Sequence, residues 1–426
     1  MNTNKVDRTN LSDFRLFLWS DLVAQIAGVG AGLAIPVVTL RLSDSLTLAG
    51  LYGTITGIAA LAGGIIGGSL ADMWRRKPLI IVTNALAGVL NLALAGLILS
   101  GGFSPVLFGM LLGSMMLFYR IGQACSDPCL PQLVEEEQLA AKQGLIQARL
   151  QFAGLIGPTV GGALLEVNLA LPFVFVGLAN FLTIVFFLFI RASLDPAKKA
   201  GNKLLRTTKE GLVIVARSPL LRGLIAMQTL SNCAINGSLF MAVLILEEGN
   251  NPGWVTGLAR TSIGLIGIVG ALSTGWLQKK FSFAALQVGT CVWVAASIAC
   301  GALLSPSLLM IIPLGLSVLT APAAGAVTYA ALHRLMAEET FGRVTNIQMS
   351  TVVSLSSVWS TPLTALSHRW TLTTGLWANA LAGILAIGPA LAFVRRANHA
   401  LAQADAKEDD PLDTQEHDSF ISVSET

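Results

Sequence analysis

The sequence carries little charge. Only 12% of its 426 residues are Asp, Glu, Lys or Arg, whereas 54% are hydrophobic and the mean hydropathy is +0.70. Soluble domains contain about 25% charged residues, so this composition excludes a soluble multidomain protein. Apolar runs of at least about 18 residues recur along the chain, and each can cross a hydrocarbon core of roughly 30 Å as a helix. The composition therefore predicts a protein embedded in a lipid bilayer.

Several chemical signatures are also missing. No P-loop is present, which excludes ATP as the energy source, and no H-E-x-x-H, G-x-S-x-G or metal-ligand cluster points to an enzyme or a cofactor. The five cysteines lack C-x-x-C spacing and are predicted to be free thiols. The polar residues 1–15 lack the apolar core of a secretory signal, so we expect no signal peptide. We expect no nucleic-acid partner.

About twelve membrane-spanning helices are predicted. Breaks at charges, proline and glycine place them at 14–40, 46–71, 78–99, 104–125, 142–165, 170–190, 219–246, 254–277, 283–304, 308–332, 344–367 and 372–394. An even number of spans puts both termini on one side of the membrane. Basic residues concentrate in the loops of that side, notably at 75–77 and between 191 and 217. The positive-inside rule therefore predicts a multi-pass protein of the cell membrane with both termini in the cytoplasm.

The two halves of the chain read as copies. Residues 132–147 match 334–348, and Pro158 in the fifth predicted span corresponds to Pro362 in the eleventh, at offsets of about 200 residues. Parallel repeats of six helices, related by an axis along the membrane normal, are typical of transporters. The predicted fold is thus an all-α membrane protein with two six-helix bundles related by a pseudo-twofold axis.

This repeat sets the predicted domain organisation. A long polar segment separates the halves, and the chain ends in a run of acidic residues that cannot bury enough apolar surface to fold. The expected parts are a cytoplasmic N-terminus (1–13), a first bundle (14–191), a cytoplasmic linker (192–218), a second bundle (219–396) and a disordered acidic tail (397–426).

Charged residues interrupt the apolar sequence between the second and third spans, in "GSLADMWRRK". The bases of this loop, among them Arg76 and Lys77, can anchor the topology by reaching lipid phosphates. Asp72, at a helix end, can meet the positive N-terminal dipole of another helix. Arg343 in "FGR" falls near the predicted start of the eleventh span, which offers such an end.

The fifth span contains "GLIGPTVGG", with Gly157, Pro158, Gly161 and Gly162. Small residues four positions apart let helices approach closely, and proline removes a helix hydrogen bond and bends the helix. The motif predicts a kinked, tightly packed pivot, with a plain packing face as the alternative.

These two motifs resemble those of the major facilitator superfamily. Within it they are similar to proton-driven drug exporters, in particular the branch that exports macrolides and enterobactin, over residues 14–396. The loop resembles G-x-L-A-D-R-x-[GD]-R-[RK], with Met73 and Arg75 departing from the pattern. "LPQLVEEEQLAAKQGL" after the fourth span is similar to a further motif of that branch, with Glu135 in place of a proline.

The resemblance implies roles for these residues. Asp72, with Arg76 and Lys77, would hold the cytoplasmic side closed by bonding to the start of the eleventh helix near Arg343. The glycine and proline motif is associated with exporters and antiporters rather than with uptake proteins.

An acid in the first span is the predicted proton carrier. Asp21 lies about two turns into that helix, and Gln25 follows one turn later on the same face. An ionisable group inside a membrane is a functional hypothesis by default, because its charged form is costly there. Asp21 can therefore take up and release a proton, unless it is simply an acid at the membrane interface.

Two arginines are candidates for the same task. Arg120, in "YRIGQA", resembles the R-x-x-Q-G motif of drug exporters, where the arginine takes part in proton coupling. It also lies near a helix end, where it can reach the membrane surface instead. Arg149 is expected to face a cavity or to pair with Asp127 or Glu137.

The seventh span carries a polar stripe. Gln228, Asn232 and Asn236 recur every four residues, and Phe240 follows. Polar groups inside a membrane need partners, so these residues either line a wet substrate cavity or bond to other helices. Acids at the predicted outer helix ends are expected to be solvated: Glu166, Glu247 and Glu248.

The predicted function is secondary transport. We expect a monomer that exports an amphipathic small organic molecule in exchange for protons, by rocking its two bundles around a central site. A proton-independent facilitator or importer, and a non-transporting membrane scaffold, are the alternatives.

Overall fold

The computed structural model describes residues 3–134, 139–194, 213–336 and 338–408. Regular structure in these ranges is helical, which confirms the predicted all-α class. We number the long helices α1 to α12 and give the two parts of an interrupted helix the letters a and b. They are α1 Thr3–Ser43, α2 Leu46–Met73, α3 Arg76–Leu99, α4 Pro105–Ser126, α5 Leu139–Val167, α6 Leu171–Phe189, α7 Pro219–Glu248, α8 Gly253–Lys280, α9 Phe283–Leu304, α10a Ile311–Leu316, α10b Ala321–Leu335, α11a Glu338–Val358, α11b Ser360–Arg369, α12a Leu372–Leu385 and α12b Ile387–Glu408.

Eleven helical spans in the described ranges are long and apolar enough to cross a membrane, judged by length and composition. They coincide with eleven of the predicted spans. The other prediction, 344–367, is helical too, but its many serines and threonines leave it less apolar than the rest. Trp359, between α11a and α11b, keeps right-handed helical angles (φ −60°, ψ −23°), so the interruption there is slight.

The first and last helices extend beyond their predicted ends. α1 begins at Thr3, inside the segment predicted to precede the first bundle, and α12b continues to Glu408, inside the segment predicted to be disordered. Both extensions are polar, so hydropathy alone does not detect them. Residues 195–212 of the predicted linker and 409–426 of the tail lie outside the described residues.

The helices form two compact units. Unit 1 comprises Met1–Gly201, Phe240–Leu265 and Ser357–Leu372, so it joins α1 to α6 with the end of α7, the start of α8, and α11b. Unit 2 comprises Asn202–Leu239, Ile266–Ser356 and Thr373–Thr426. In unit 1 we call the end where α1 meets α2 the distal end, and the end where α2 meets α3 the proximal end.

Aromatic side chains fill the distal core of unit 1. The rings of Tyr52 and Phe108 lie 5.2 Å apart, and the Tyr52 hydroxyl donates a hydrogen bond to the Pro105 carbonyl at 2.8 Å. Phe173 and Leu94 complete this buried cluster. Lipid tails are as apolar as these side chains, so close packing rather than exclusion of water stabilises the contacts between helices.

The proximal core of unit 1 and the core of unit 2 are built in the same way. Phe17 and Phe187 meet edge to face in the proximal core, beside the buried Cys125. In unit 2, Phe393 and Leu224 are fully buried among α7, α9 and α12. All five cysteines lie in the described ranges and are free thiols, as predicted.

Candidate functional site

An ion pair joins two helices inside unit 1. The Arg149 guanidinium on α5 contacts the Asp21 carboxylate on α1, and their side chains are 7% and 25% exposed. Gln25, one turn after Asp21, bonds to the same carboxylate. Arg149 therefore pairs with Asp21 rather than with Asp127, and Glu137, the other predicted partner, lies outside the described residues.

The positive charge of Arg149 depends on Asp21 for its compensation. Nε and Nη1 of Arg149 are buried and make no hydrogen bond to any described residue, so among these residues the Asp21 carboxylate is the group that pairs with this cation. Removing the negative charge of a buried pair leaves the other charge without compensation, which is strongly unfavourable. Gain or loss of a proton on Asp21 would thus change the energy of the contact between α1 and α5.

Other charges lie close to this pair. Asp127, at the end of α4, interacts electrostatically with Asp21, Arg120 and Arg149. Arg120 donates a hydrogen bond to Gln123, while its buried Nε finds no acceptor among the residues that the structure describes. The structure therefore brings the three predicted proton-coupling residues into one part of unit 1.

The glycine motif of α5 lies two turns beyond Arg149, against α1. A Cβ atom added at Gly30 would lie 2.9 Å from the Gly157 carbonyl oxygen and 3.1 Å from the Gly161 Cα. Such distances leave no room for a side chain, so the two backbones touch. α5 remains one continuous helix through Pro158. The predicted close packing is thus present, and the proline causes no break in the helix.

The opposite face of α5 contacts the start of α8. A Cβ atom added at Gly257 would lie 2.9 Å from the Thr159 Cα, and the Thr159 and Thr261 hydroxyls are 2.8 Å apart. Glu166 accepts a hydrogen bond from the backbone N–H of Gly253 at the N-terminus of α8. This acid is exposed, as predicted, and it also caps the N-terminus of α8.

A second row of small residues joins α2 to α11b. The Ser360 hydroxyl donates a hydrogen bond to the Gly50 carbonyl at 2.9 Å, and the Thr54 and Thr361 hydroxyls lie 2.6 Å apart. A Cβ atom added at Gly53 would lie 3.2 Å from the Ser360 Cβ. Each of these contacts lies in the distal part of unit 1.

An ion pair also connects the distal ends of α1 and α7. Arg41 binds Glu247 with both its Nε and its Nη2, the latter 3.1 Å from Oε2. Glu247 is 9% exposed, so the prediction that it is solvated is wrong, whereas Glu248 is exposed as predicted. The partner of Glu247 is 206 residues away in sequence, and local pattern gives no sign of it.

The bases of the proximal loop bind helix ends. Arg76 is buried and donates hydrogen bonds to the carbonyls of Ala71 (3.3 Å) and Pro128 (3.1 Å). Lys77 donates to the Ile190 carbonyl at 2.8 Å, at the C-terminus of α6. Cations stabilise the negative ends of helix dipoles, so both side chains hold helix ends in unit 1.

Asp72 and Arg343, which the resemblance pairs to hold the cytoplasmic side closed, are described only in part. Asp72 lies in the last turn of α2 and Arg343 lies in α11a, but the side chains of both are outside the description. α11a begins at Glu338 rather than at 344, so Arg343 is in its second turn and not at its first residue.

The polar stripe of α7 forms hydrogen bonds within unit 2. Gln348 of α11a donates to the Gln228 side chain at 2.6 Å, and the Asn232 amide donates to the Gln228 carbonyl at 3.0 Å. Asn236, which is exposed, bonds to Asn232 at 3.4 Å. Phe240 is half-buried and belongs to unit 1. Gln228 thus bonds to another helix, and Asn236 keeps an exposed amide.

One intramembrane cation was not predicted. Arg260 lies in the apolar α8 and makes no hydrogen bond or ion pair in the part of the chain that is described. The positive-inside argument considers loops only and therefore passes over this residue. The rule that intramembrane charges are functional candidates would have identified it.

Comparison with known proteins shows a match to one protein family. The sequence profile of the Major Facilitator Superfamily matches residues 20–361. The chain is similar to proteins named enterobactin exporter EntS. Those of Shigella boydii serotype 4 (strain Sb227) and Escherichia coli O1:K1 / APEC are each 24% identical over 372 residues, which cover 85% of this chain and 87% of theirs.

The fold is similar to that of solved transporters. The nucleoside transporter NupG aligns with a TM-score of 0.71 at 9% identity, over 92% of this chain and 99% of that one. A bacterial homologue of the iron transporter ferroportin aligns with a TM-score of 0.68 at 17% identity, over 89% and 99%. Likeness at such identities shows the fold alone.

Proposed function

The chain belongs to the Major Facilitator Superfamily, and from that premise we propose that it exports an amphipathic small organic molecule in exchange for protons. Membership makes it a multi-pass secondary transporter of small molecules and not an enzyme. The direction of transport, the coupling to protons and the nature of the substrate are the proposed parts.

The ion pair between Asp21 and Arg149 is the observation that carries the proposal. It joins α1 to α5, and α5 is the helix that also packs on α8 through its glycines. Protonation of Asp21 removes the compensating charge of Arg149 and so changes which arrangement of α1 and α5 is favoured. A proton bound here would thereby be exchanged for substrate by alternating access.

The proposed direction of transport is supported by the names of relatives and by one sequence motif. Relatives at 24% identity are named exporters, and the glycine and proline motif fits that branch. Because the proximal loops are basic, we place both termini in the cytoplasm. Asp72 and Arg343 are proposed to hold that side closed. The distal contacts of α1, α2 and α5 would then close the outer side and must separate to release substrate.

Substrate contacts are proposed on α1 and α7. Gln25 lies beside the proton site, while Asn232 and Asn236 present amide groups along α7 and Phe240 offers an apolar surface. Amides together with an aromatic ring suit an amphipathic molecule. Gln228, engaged with Gln348, would position this stripe.

Proton exchange can be tested in proteoliposomes containing the purified protein. The probes are iron-free enterobactin, erythromycin and ethidium, and a trapped pH-sensitive dye reports proton movement. We expect at least one probe to drive proton flux in the wild type and none to do so in Asp21→Asn. Downhill movement of the same probe should persist in that variant.

A matched control is Asp44→Asn. Asp44 is exposed in the loop after α1, and its left-handed backbone (φ 50°) is one that asparagine also adopts. It should behave as the wild type. Probe movement without proton flux would favour a facilitator, uptake against the expected direction an importer, and no movement of any probe a scaffold. Uphill transport that survives in Asp21→Asn would exclude this proton site.

A further inference from the structure

Arg260 is a cation without a counter-charge inside a membrane-spanning helix. It lies seven residues after Gly253, the first residue of α8, which is about 10 Å along the helix axis. Within the described ranges no carboxylate pairs with it and no hydrogen bond reaches it. Charges at such positions are rare and are retained where they meet a partner or a ligand.

The side chain points away from the apolar surface of α8. Leu258, Leu265 and Val269 are 44%, 49% and 56% exposed and form one stripe. At 100° per residue, Arg260 lies about 140–180° from each member of that stripe. An arginine that served only to reach lipid headgroups would lie on the stripe, whereas this one is half-buried on the opposite side of the helix.

A second polar group with no partner lies on the same face. Thr256, one turn before Arg260, is fully buried, and its hydroxyl makes no hydrogen bond within the described part of the chain. An unpaired buried hydroxyl is costly, and so is an unpaired charge within a membrane-spanning helix, here on the half-buried Arg260. One oxygen-rich anion can accept hydrogen bonds from both.

Arg120, Arg149 and Arg260 lie in the spans of unit 1. Within the described residues the nearby carboxylates, Asp21 and Asp127, interact with Arg120 and Arg149 and not with Arg260. Thr261, beside Arg260, donates a hydrogen bond to the Leu155 carbonyl, six residues beyond Arg149 on α5. Six residues span about 9 Å, so Arg260 lies at a different level from the Asp21 pair. An anion at Arg260 therefore need not compete with the proton on Asp21.

We propose that Arg260 and Thr256 bind an anionic oxygen group, a carboxylate or a phenolate, on the transported molecule. The inference rests on the proposed function and gives its substrate a class: amphipathic organic acids. The guanidinium forms charge-assisted hydrogen bonds to the anion, and the threonine hydroxyl donates a further one.

Binding of a matched pair of probes tests this proposal. Dansyl-leucine carries a free carboxylate, its methyl ester does not, and dansyl fluorescence reports the binding of either to the purified protein. We expect the wild type to bind the acid at least tenfold more tightly than the ester. Arg260→Gln should abolish this preference by weakening acid binding alone, and Arg260→Lys should retain part of it.

Arg369→Gln is the control, because it removes the same charge from an exposed position. It should keep the wild-type preference. Arg260→Gln should fold and melt at or above the wild-type temperature without ligand, since it removes an unpaired charge. Equal binding of the two probes by the wild type, or a preference that survives in Arg260→Gln, would overturn the proposal. Loss of the preference in Arg149→Gln alone would assign the anion to the other arginine. Proton exchange with the probes of the proposed function, compared between the wild type and Asp21→Asn, does not depend on these binding results and tests that function separately.

Discussion

The pair between Asp21 and Arg149 yields a quantitative prediction about stability. Removing one partner of a buried pair costs about 3–5 kcal/mol because the other charge stays buried. Arg149 is the more deeply buried partner, at 7% exposure against 25% for Asp21, so Asp21→Asn should destabilise the protein by about 3 kcal/mol. Arg149→Gln should cost less, about 1–2 kcal/mol, because the partly exposed carboxylate can take up a proton.

The double variant Asp21→Asn with Arg149→Gln separates charge burial from packing. Replacing both charges by neutral groups of similar shape is often close to neutral, so its stability should lie within about 1 kcal/mol of the wild type. Melting followed by tryptophan fluorescence in detergent should place the double variant above Asp21→Asn, with Arg149→Gln between them. The double variant should still lack proton exchange. A double variant as unstable as Asp21→Asn would refute the reasoning, because uncompensated charge could then not be the cause.

Two further predictions concern packing and the distal ion pair. Gly30→Ala should lower the melting temperature, at a cost of about 1–3 kcal/mol, because the added methyl meets backbone atoms of α5, whereas Gly154→Ala has open space and should not. Equal melting temperatures of these two variants would show that α1 and α5 can move apart at no cost in stability. Glu247→Gln should destabilise the protein by about 1–2 kcal/mol because it leaves Arg41 without its carboxylate. Glu248 is exposed, so Glu248→Gln should change stability little. Equal melting curves of the two variants would contradict a stabilising role for the Arg41–Glu247 pair.

Hydropathy predicts the helices of this chain well, because the bilayer requires long apolar segments. It misses polar ends of helices: the start of α11a, the start of α1 and the end of α12b all lie outside the predicted spans. The close approach at Gly157 and Gly161 was also predictable, since small residues four apart have little other use within a membrane.

Partners distant in sequence were not predictable. Arg149 was expected to face a cavity or to pair with Asp127 or Glu137, both close to it in sequence, but α5 packs beside α1, which brings Asp21 to it. Glu247 was assigned to solvent because it ends a helix, although it is buried against Arg41; Glu166 is exposed as expected, but its contact with the N-terminus of α8 was not foreseen. Such pairings depend on which helices are neighbours, and a single sequence does not state this.

Unit 1 contains segments from distant parts of the chain, and this constrains the order in which it can assemble during synthesis. Its α2 surface meets α11b through Gly50 and Ser360, and its α5 surface meets α8 through Gly162 and Gly253. Translation proceeds at about 5–20 residues per second, so α11b follows α6 by roughly 10 to 40 s. During that interval the glycine grooves of the early helices are inserted without their later partners. Lipid or an insertion chaperone must cover them meanwhile, and a ribosome stalled before α11b would leave the first unit unfinished.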